Sequence, residues 1–378
     1  MLGPNASFIT PPDLVRLTML AVPPVIPLIH RDLHLDEKAV GLLVSLPVLL
    51  LAAAAVPGSL LIARLGVRSA LAIGLGAVAL FGALRGAGTN VFVLYSSTLL
   101  MGVGVAVSQP AFPSLVREWF PKRIAVATAV FSNGILVGET IPTAFTAPVG
   151  VLPLVHGDWR WALAGWSVLV ALTTIALALY TPAVRATRVL SARWWPSWRE
   201  GQVIRLGVVM GMASAIYFGA NAFIPDFLEQ SGRHALITPT LFVMNAAQLL
   251  SAPAVALWDR LTGRGAFIGS AGLMLLAQLG IVLTPAAGVV LWAFVLGFAT
   301  ALAFVVVLTL PPRVAAAGDV HRMSAGIFSL QYSLAFVVPL LAGALWDATG
   351  RAALAFIPGV AAAGVMAWLA WRIRIPAG

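Results

Sequence analysis

Residues 183–201 read AVRATRVLSARWWPSWREG, the longest polar interval of the chain, with overwhelmingly apolar sequence on both sides. A hydrocarbon core about 30 Å thick is crossed by about 20 helical residues. Runs of that length fall at about 9–30, 38–63, 69–88, 91–116, 124–152 and 161–182 before the interval. They fall at about 202–228, 235–258, 266–285, 287–312, 323–346 and 352–371 after it. The reading is an all-α membrane protein of twelve transmembrane helices in two pseudo-symmetric six-helix bundles. Residues 1–182 form the first bundle, 183–201 a central cytoplasmic linker and 202–378 the second bundle. Within the linker, Arg193, Trp194, Trp195, Trp198 and Arg199 suit an interfacial segment, with indoles at headgroup depth and guanidinium groups toward lipid phosphate.

The two sides repeat. Arg64 in ARLGVR and Arg260 in DRLTGR follow the second and eighth runs, 260 − 64 = 196 positions apart, and Arg117 and Arg313 close the fourth and tenth at the same offset, 313 − 117 = 196. Arg160 and Arg351 open the sixth and twelfth. A six-helix unit used twice is the plan of carriers that rock two bundles about a central site.

Composition agrees with that class. Hydrophobic residues make up 60% and charged residues 10% of 378 positions, well below the roughly 25% charge of soluble domains. Cysteine is absent, which excludes disulfides, zinc-thiolate sites and thiol catalysis. The net charge of +10 invites a nucleic-acid reading, and its distribution argues against one. Alternate gaps between the runs hold 16 of the 23 Lys and Arg residues, whereas the other gaps hold only Arg31, Lys38, Arg85, Arg160, Arg233 and Arg351, with Arg16 the remainder. That is the positive-inside asymmetry of a bacterial cytoplasmic-membrane protein with both termini inside. No run has the charged start and cleavage site of a signal peptide, so the first is expected to stay in the mature protein.

These features resemble the major facilitator superfamily over essentially the whole chain. The family's loop signature, Gly-x-Leu-Ala-Asp-Arg-x-Gly-Arg-Arg, is matched after the eighth run by Asp259, Arg260, Gly263 and Arg264, with one extra residue. After the second run Arg64, Gly66 and Arg68 remain, with Ala63 where the acid belongs. The first run is similar to that of the cyanate and nitroimidazole transporter branch, Arg16 through Pro24-Val25-Ile26-Pro27-Leu28-Ile29 keeping its spacing, although Val15 and Leu17 replace the flanking Asn and Pro. Pro113 through Phe120-Pro121 resembles that branch's pattern after the fourth helix. The resemblance implies alternating access, with Arg64, Arg68, Asp259, Arg260 and Arg264 in the cytoplasmic gate.

Several intramembrane polar groups are candidates for the transport site. Arg16 stands roughly 20 Å from the outer edge of the first run, a depth at which a cation marks a cavity or a partner, unless it snorkels from a short first helix. Glu139, in SNGILVGETIPTAF, is a carboxyl among apolar residues and glycines. It either pairs with Arg16, carries a proton, or is hydrogen-bonded to Ser132 or Thr143. Asp13, three residues before Arg16, either neutralises that arginine or takes part in proton coupling with Glu139. Gln109, Tyr217, Asn221, Asn245, Gln248, Gln331 and Tyr332 place amides and phenols in the fourth, seventh, eighth and eleventh runs, where hydrogen-bond partners are obligatory. As a set they predict a polar cavity that binds solute. Asp226, beside Pro225, reads as a gate or rim group.

The expected function is secondary transport of a small polar or anionic organic solute, with proton coupling through Glu139. A proton-driven exporter of drugs or amphipathic compounds and a non-transporting membrane sensor are the alternatives. No H-E-x-x-H or P-loop motif occurs, so an enzyme, a metal or other cofactor and ATP as energy source are not expected. The expected partners are the solute, protons and the lipid bilayer, with no nucleic acid, and the protein is expected to be a monomer.

Overall fold

A computed structural model describes residues 18, 21–22, 25–33, 37–87, 90–145, 157–180, 194–257, 263–285, 287–316 and 319–373. These residues contain helices and connecting turns, with no strand among them. Backbone amides in hydrocarbon have no water to bond, so each apolar run satisfies its own N–H and C=O groups by coiling.

The α-helices are α1 (Ile26–Leu33), α2 (Glu37–Leu65), α3 (Val67–Gly86), α4 (Val91–Ser108), α5 (Ala111–Trp119), α6 (Ile124–Phe145) and α7 (Trp159–Tyr180). They continue with α8 (Gly201–Gln230), α9 (Ile237–Ala247), α10 (Ser251–Leu257), α11 (Arg264–Leu283), α12 (Gly288–Thr309), α13 (Pro311–Val314), α14 (Val320–Thr349) and α15 (Ile357–Ala370). Nine helical stretches among the described residues are long and apolar enough to cross a bilayer, and Leu49–Leu65 and Val126–Gly138 are shorter apolar stretches. Each of these overlaps one of the predicted runs from the second to the twelfth. The first run lies largely outside the described residues. What is described of it is interrupted: Thr18 is helical, the chain turns at Ala21 and Val22, and α1 begins at Ile26.

Prolines and glycines shape the spans. The fourth breaks between α4 and α5 at Gln109-Pro110, since Pro110 has no N–H to continue the ladder. The eighth tightens into a 3-10 turn at Gln248–Leu250 between α9 and α10. Pro225 lies inside α8 and Pro339 inside α14. The basic turn ARLGVR closes on Gly66, whose φ of 82° is accessible to glycine at little cost.

Contacts divide the chain into two compact units, Met1–Leu115 with Phe131–Trp195, and Val116–Val130 with Pro196–Gly378. Within the first, α3 packs on α4 and α7, and α2 packs on α4. Within the second, α11 packs on α12 and α15, and α9 packs on α12. These are the same three pairings under the sequence repeat. In the second unit α8 also packs extensively on α14. A Cβ built on Gly207 would lie 2.8 Å from Leu330 Cβ, and one on Gly211 would lie 2.9 Å from Leu334 Cβ, so this small-residue pair lets α14 seat against α8.

Candidate solute site

The second unit brings together four of the sequence-predicted residues. Tyr217 and Asn221 stand one turn apart towards the middle of α8, at least about 9 residues, or roughly 13 Å, from either end. Asn245 lies near the end of α9, and Gln248 occupies the 3-10 turn that follows. Tyr217 donates its hydroxyl to Asn245 Oδ1 at 2.7 Å, and Gln248 Nε2 donates to the same oxygen at 3.2 Å. Asn245 Nδ2 donates to Asn221 Oδ1 at 3.1 Å and to the Leu241 carbonyl at 2.9 Å. Asn221 Nδ2 donates to the Tyr217 carbonyl at 3.0 Å.

Asn245 is thus the hub. Its two N–H groups and two oxygen lone pairs are all used, the full capacity of an amide. Tyr217, Asn221 and Asn245 are half-buried and Gln248 is buried, so polar atoms sit beside an apolar wall that includes the Phe218 ring, 5.2 Å from the Tyr217 ring in an edge arrangement. An acceptor or donor arriving there can exchange bonds with a ready network at small desolvation cost.

Gln331 and Tyr332 occupy α14, both buried. Gln331 Nε2 donates to Ser214 Oγ on α8 at 2.9 Å, while Gln331 Oε1 is buried without a partner. An orphan amide oxygen in a membrane interior is costly and matches a donor on a visiting molecule. Tyr332 stacks on Phe328 at 6.4 Å. In the first unit Gln109 is buried at the break of the fourth span.

The remaining candidates divide by where they fall. Arg16, Asp13, Asp259 and Arg260 lie outside the described residues. Glu139 and Asp226 are placed on α6 and α8 by their backbones, and their side chains lie outside the described set. Arg64 ends α2 exposed, with no ion pair among the described residues, and Arg68 opens α3. Arg264 donates through Nε and Nη2 to the Ile373 carbonyl at 3.2 and 2.9 Å, just past the end of α15. Arg205 does the same to Arg372 at 2.8 Å, and Arg117 Nη1 donates to the Ala315 carbonyl at the end of α13. These cations spend their charge on helix C-terminal carbonyls, the negative end of the helix dipole, rather than on carboxylates.

Two arrangements escape a reading of the sequence. At the ends of α1 and α7, Trp159 Nε1 donates to Asp32 Oδ2 at 3.0 Å, Arg160 Nη1 lies 3.5 Å from the same oxygen, and Arg160 Cζ lies 4.7 Å from the Trp159 ring centroid. Only the short spacing of charges flanking two spans hints at it. Arg85 requires a correction: counted among the cations of the gaps, it is fully buried near the end of α3 and donates through Nη2 to the Thr18 carbonyl at 2.9 Å. A cation in the last turn of a span reads as a loop charge unless its side chain is seen to turn inward.

Comparison with known proteins agrees with this architecture. The Major Facilitator Superfamily model matches residues 14–339. The cyanate transport protein CynX of Escherichia coli K12 is 26% identical over 89% of this chain and 88% of its own. The 2-nitroimidazole transporter of the same organism is 24% identical over 89% of this chain and 86% of its own. The crystal structure of the human organic anion transporter MFSD10 superposes with a TM-score of 0.74 at 16% identity, covering 96% of this chain and 98% of the other. Relatives and fold alike are those of transporters rather than enzymes, and the chain is a multi-pass membrane protein. Matched over most of its length by the family model, and similar over most of its length to the cyanate and 2-nitroimidazole carriers, it belongs to the major facilitator superfamily.

Proposed function

We propose that this transporter moves a small polar or anionic organic solute across the bacterial cytoplasmic membrane by alternating access, with both termini cytoplasmic. The observation that carries the reading is the Asn245-centred network, which sets a phenol and three amides beside the middle of α8. Neutral donors and acceptors held in this way suit a compact solute whose polar edges need pairing on leaving water. Gln331 adds an acceptor without a partner. The names of the related carriers, one for cyanate and one for 2-nitroimidazole, support a small polar or anionic solute.

In this proposal residues 1–182 and 202–378 are the two rocking bundles, joined by a cytoplasmic linker at 183–201. Arg16 supplies the cation that receives the solute's negative or strongly polar end. Glu139 exchanges a proton during the cycle, because desolvation favours its neutral form and a nearby cation favours its charged form. Arg64, Arg68, Asp226, Asp259, Arg260 and Arg264 serve the gates, and the protein acts as a monomer.

The test is counterflow in proteoliposomes of the purified chain, preloaded in turn with unlabelled cyanate, formate and 2-nitroimidazole and supplied with each labelled compound. Transient accumulation of at least one, strongly reduced in Asn245→Leu at concentrations near the parent's KM, is the expected result. Counterflow of a compound unaffected by Asn245→Leu removes the network from the solute path.

A further inference from the structure

We infer that Arg85 and Thr18 form the donor pair of an anion subsite inside the first unit, an inference that rests on the carrier reading above and extends it. Both residues are 1% exposed. An arginine near the end of a span ordinarily snorkels outward, bringing its charge to water and headgroups. Arg85 does the opposite. A Cβ built on Gly82, one turn before Arg85 on α3, would lie 3.3 Å from Thr18 Cγ2, so Thr18 packs beside the preceding turn and the guanidinium reaches back along the helix to meet its carbonyl. A lipid anchor would not be built this way.

The guanidinium is poorly compensated. It has five N–H groups. One meets the Thr18 carbonyl, and Nη1 meets the Met101 thioether at 3.1 Å, a weak acceptor on a flexible side chain. Nε has no partner, and Arg85 makes no ion pair with any acid among the described residues. Thr18 Oγ1 is a second buried polar atom without a partner at the same place. A buried cation answered only by neutral acceptors is strongly unfavourable, and an anion accepting from Arg85 and the Thr18 hydroxyl would offset that cost. Met101, whose thioether holds Nη1, would have to turn aside to admit it. One guanidinium and one hydroxyl suit a small monovalent anion, a carboxylate or a cyanate-like ion, better than a phosphate ester.

The competing account is a tie: Arg85 holds the interrupted first span to α3 and binds nothing. Thermal unfolding of the purified full chain in detergent separates the two, titrated with sodium cyanate and with sodium formate against sodium chloride at constant ionic strength. The subsite predicts a saturable rise in melting temperature with cyanate or formate. Thr18→Val, nearly isosteric, should raise the half-saturating concentration about tenfold while leaving the anion-free melting temperature close to that of the parent. Arg85→Gln should lose the response. If Arg85→Gln does not fold, Thr18→Val decides. No saturable response to either anion in the parent, or an unchanged half-saturation in Thr18→Val, overturns the subsite. Counterflow by the parent keeps the two ideas apart: transport without an anion response sinks the subsite alone, and an anion response without transport of any compound sinks the carrier reading alone.

Discussion

The two units share helix pairings and differ in what they bury. Among the described residues the first buries a cation, Arg85 turned inward onto Thr18, and carries a partly exposed Asp32 and Arg160 pair beside the buried Trp159 at the ends of α1 and α7. The second, among the described residues, holds a neutral amide and phenol network whose hub, Asn245, has every bond made. A duplicated scaffold has been given two chemistries. Charge acts over distance in a low dielectric and discriminates by sign, whereas amides act at contact and discriminate by shape. On the proposed carrier reading the difference would give selection by charge to the first unit and fit to the second, and each variant below acts on one side of it.

The largest effect is expected at Arg16. Arg16→Ala should abolish uptake in proteoliposomes, by about a hundredfold or more, while membrane insertion and yield stay near the parent. Arg16→Lys should rescue poorly, because an ammonium lacks the planar fork. Wild-type uptake in the alanine variant would take the charge-reading role away from that arginine and leave Arg85 as the cation to test.

Next comes Glu139→Gln, which fixes the neutral form of the carboxyl. Counterflow should persist, and accumulation driven by an imposed pH gradient should be lost. A glutamine variant that accumulates solute with the parent's pH dependence would show that Glu139 is structural, and coupling would then be sought at Asp13 or Asp226.

In the second unit, Asn245→Leu should raise the KM for uptake about ten- to a hundredfold. It removes the hub and takes a partner from the buried Gln248 amide, at about 1–3 kcal/mol for a buried group left unpaired. Tyr217→Phe should cost only a few-fold, since it deletes one donor and leaves the other bonds of Asn245 in place. Equal effects of the two would mean that the phenol touches solute directly rather than steadying the amide.

The sequence makes some of this contrast legible and hides the rest. Hydropathy over about 20 residues reads the spans directly, because membrane thickness imposes their length. It also singles out Tyr217, Asn221, Asn245 and Gln248, since any amide in an apolar run is conspicuous. It does not reveal that they converge on one another, because Asn245 stands 245 − 217 = 28 positions from Tyr217 in another span, and only the packing of α8 and α9 joins them. Arg85 is hidden for a different reason. One turn of helix separates a loop cation from a buried one, and the direction of a side chain decides between them. The break in the eighth span at Gln248 is also hidden, because Pro253 marks the neighbourhood of the interruption and not the residue at which the helix tightens.

The smallest effect is expected at Trp159. Its indole is almost wholly buried, yet its N–H reaches Asp32 at 3.0 Å, tying the end of α1 to the start of α7. Trp159→Phe keeps an aromatic ring under Arg160 and removes that one donor, so the loss is a single charge-assisted bond together with a modest packing defect. Asp32 retains Arg160, 3.5 Å away and partly exposed, which solvent and salt screen. The expected outcome is a fall of a few degrees in melting temperature with the KM of transport unchanged. Asp32→Asn should shift the melting temperature in a salt-dependent way, because it removes the charge and keeps an acceptor. A Trp159→Phe variant with normal stability and a raised KM would bring this end of the first unit into the solute path, and the division between charge selection and fit would then have to include an aromatic as well as an arginine.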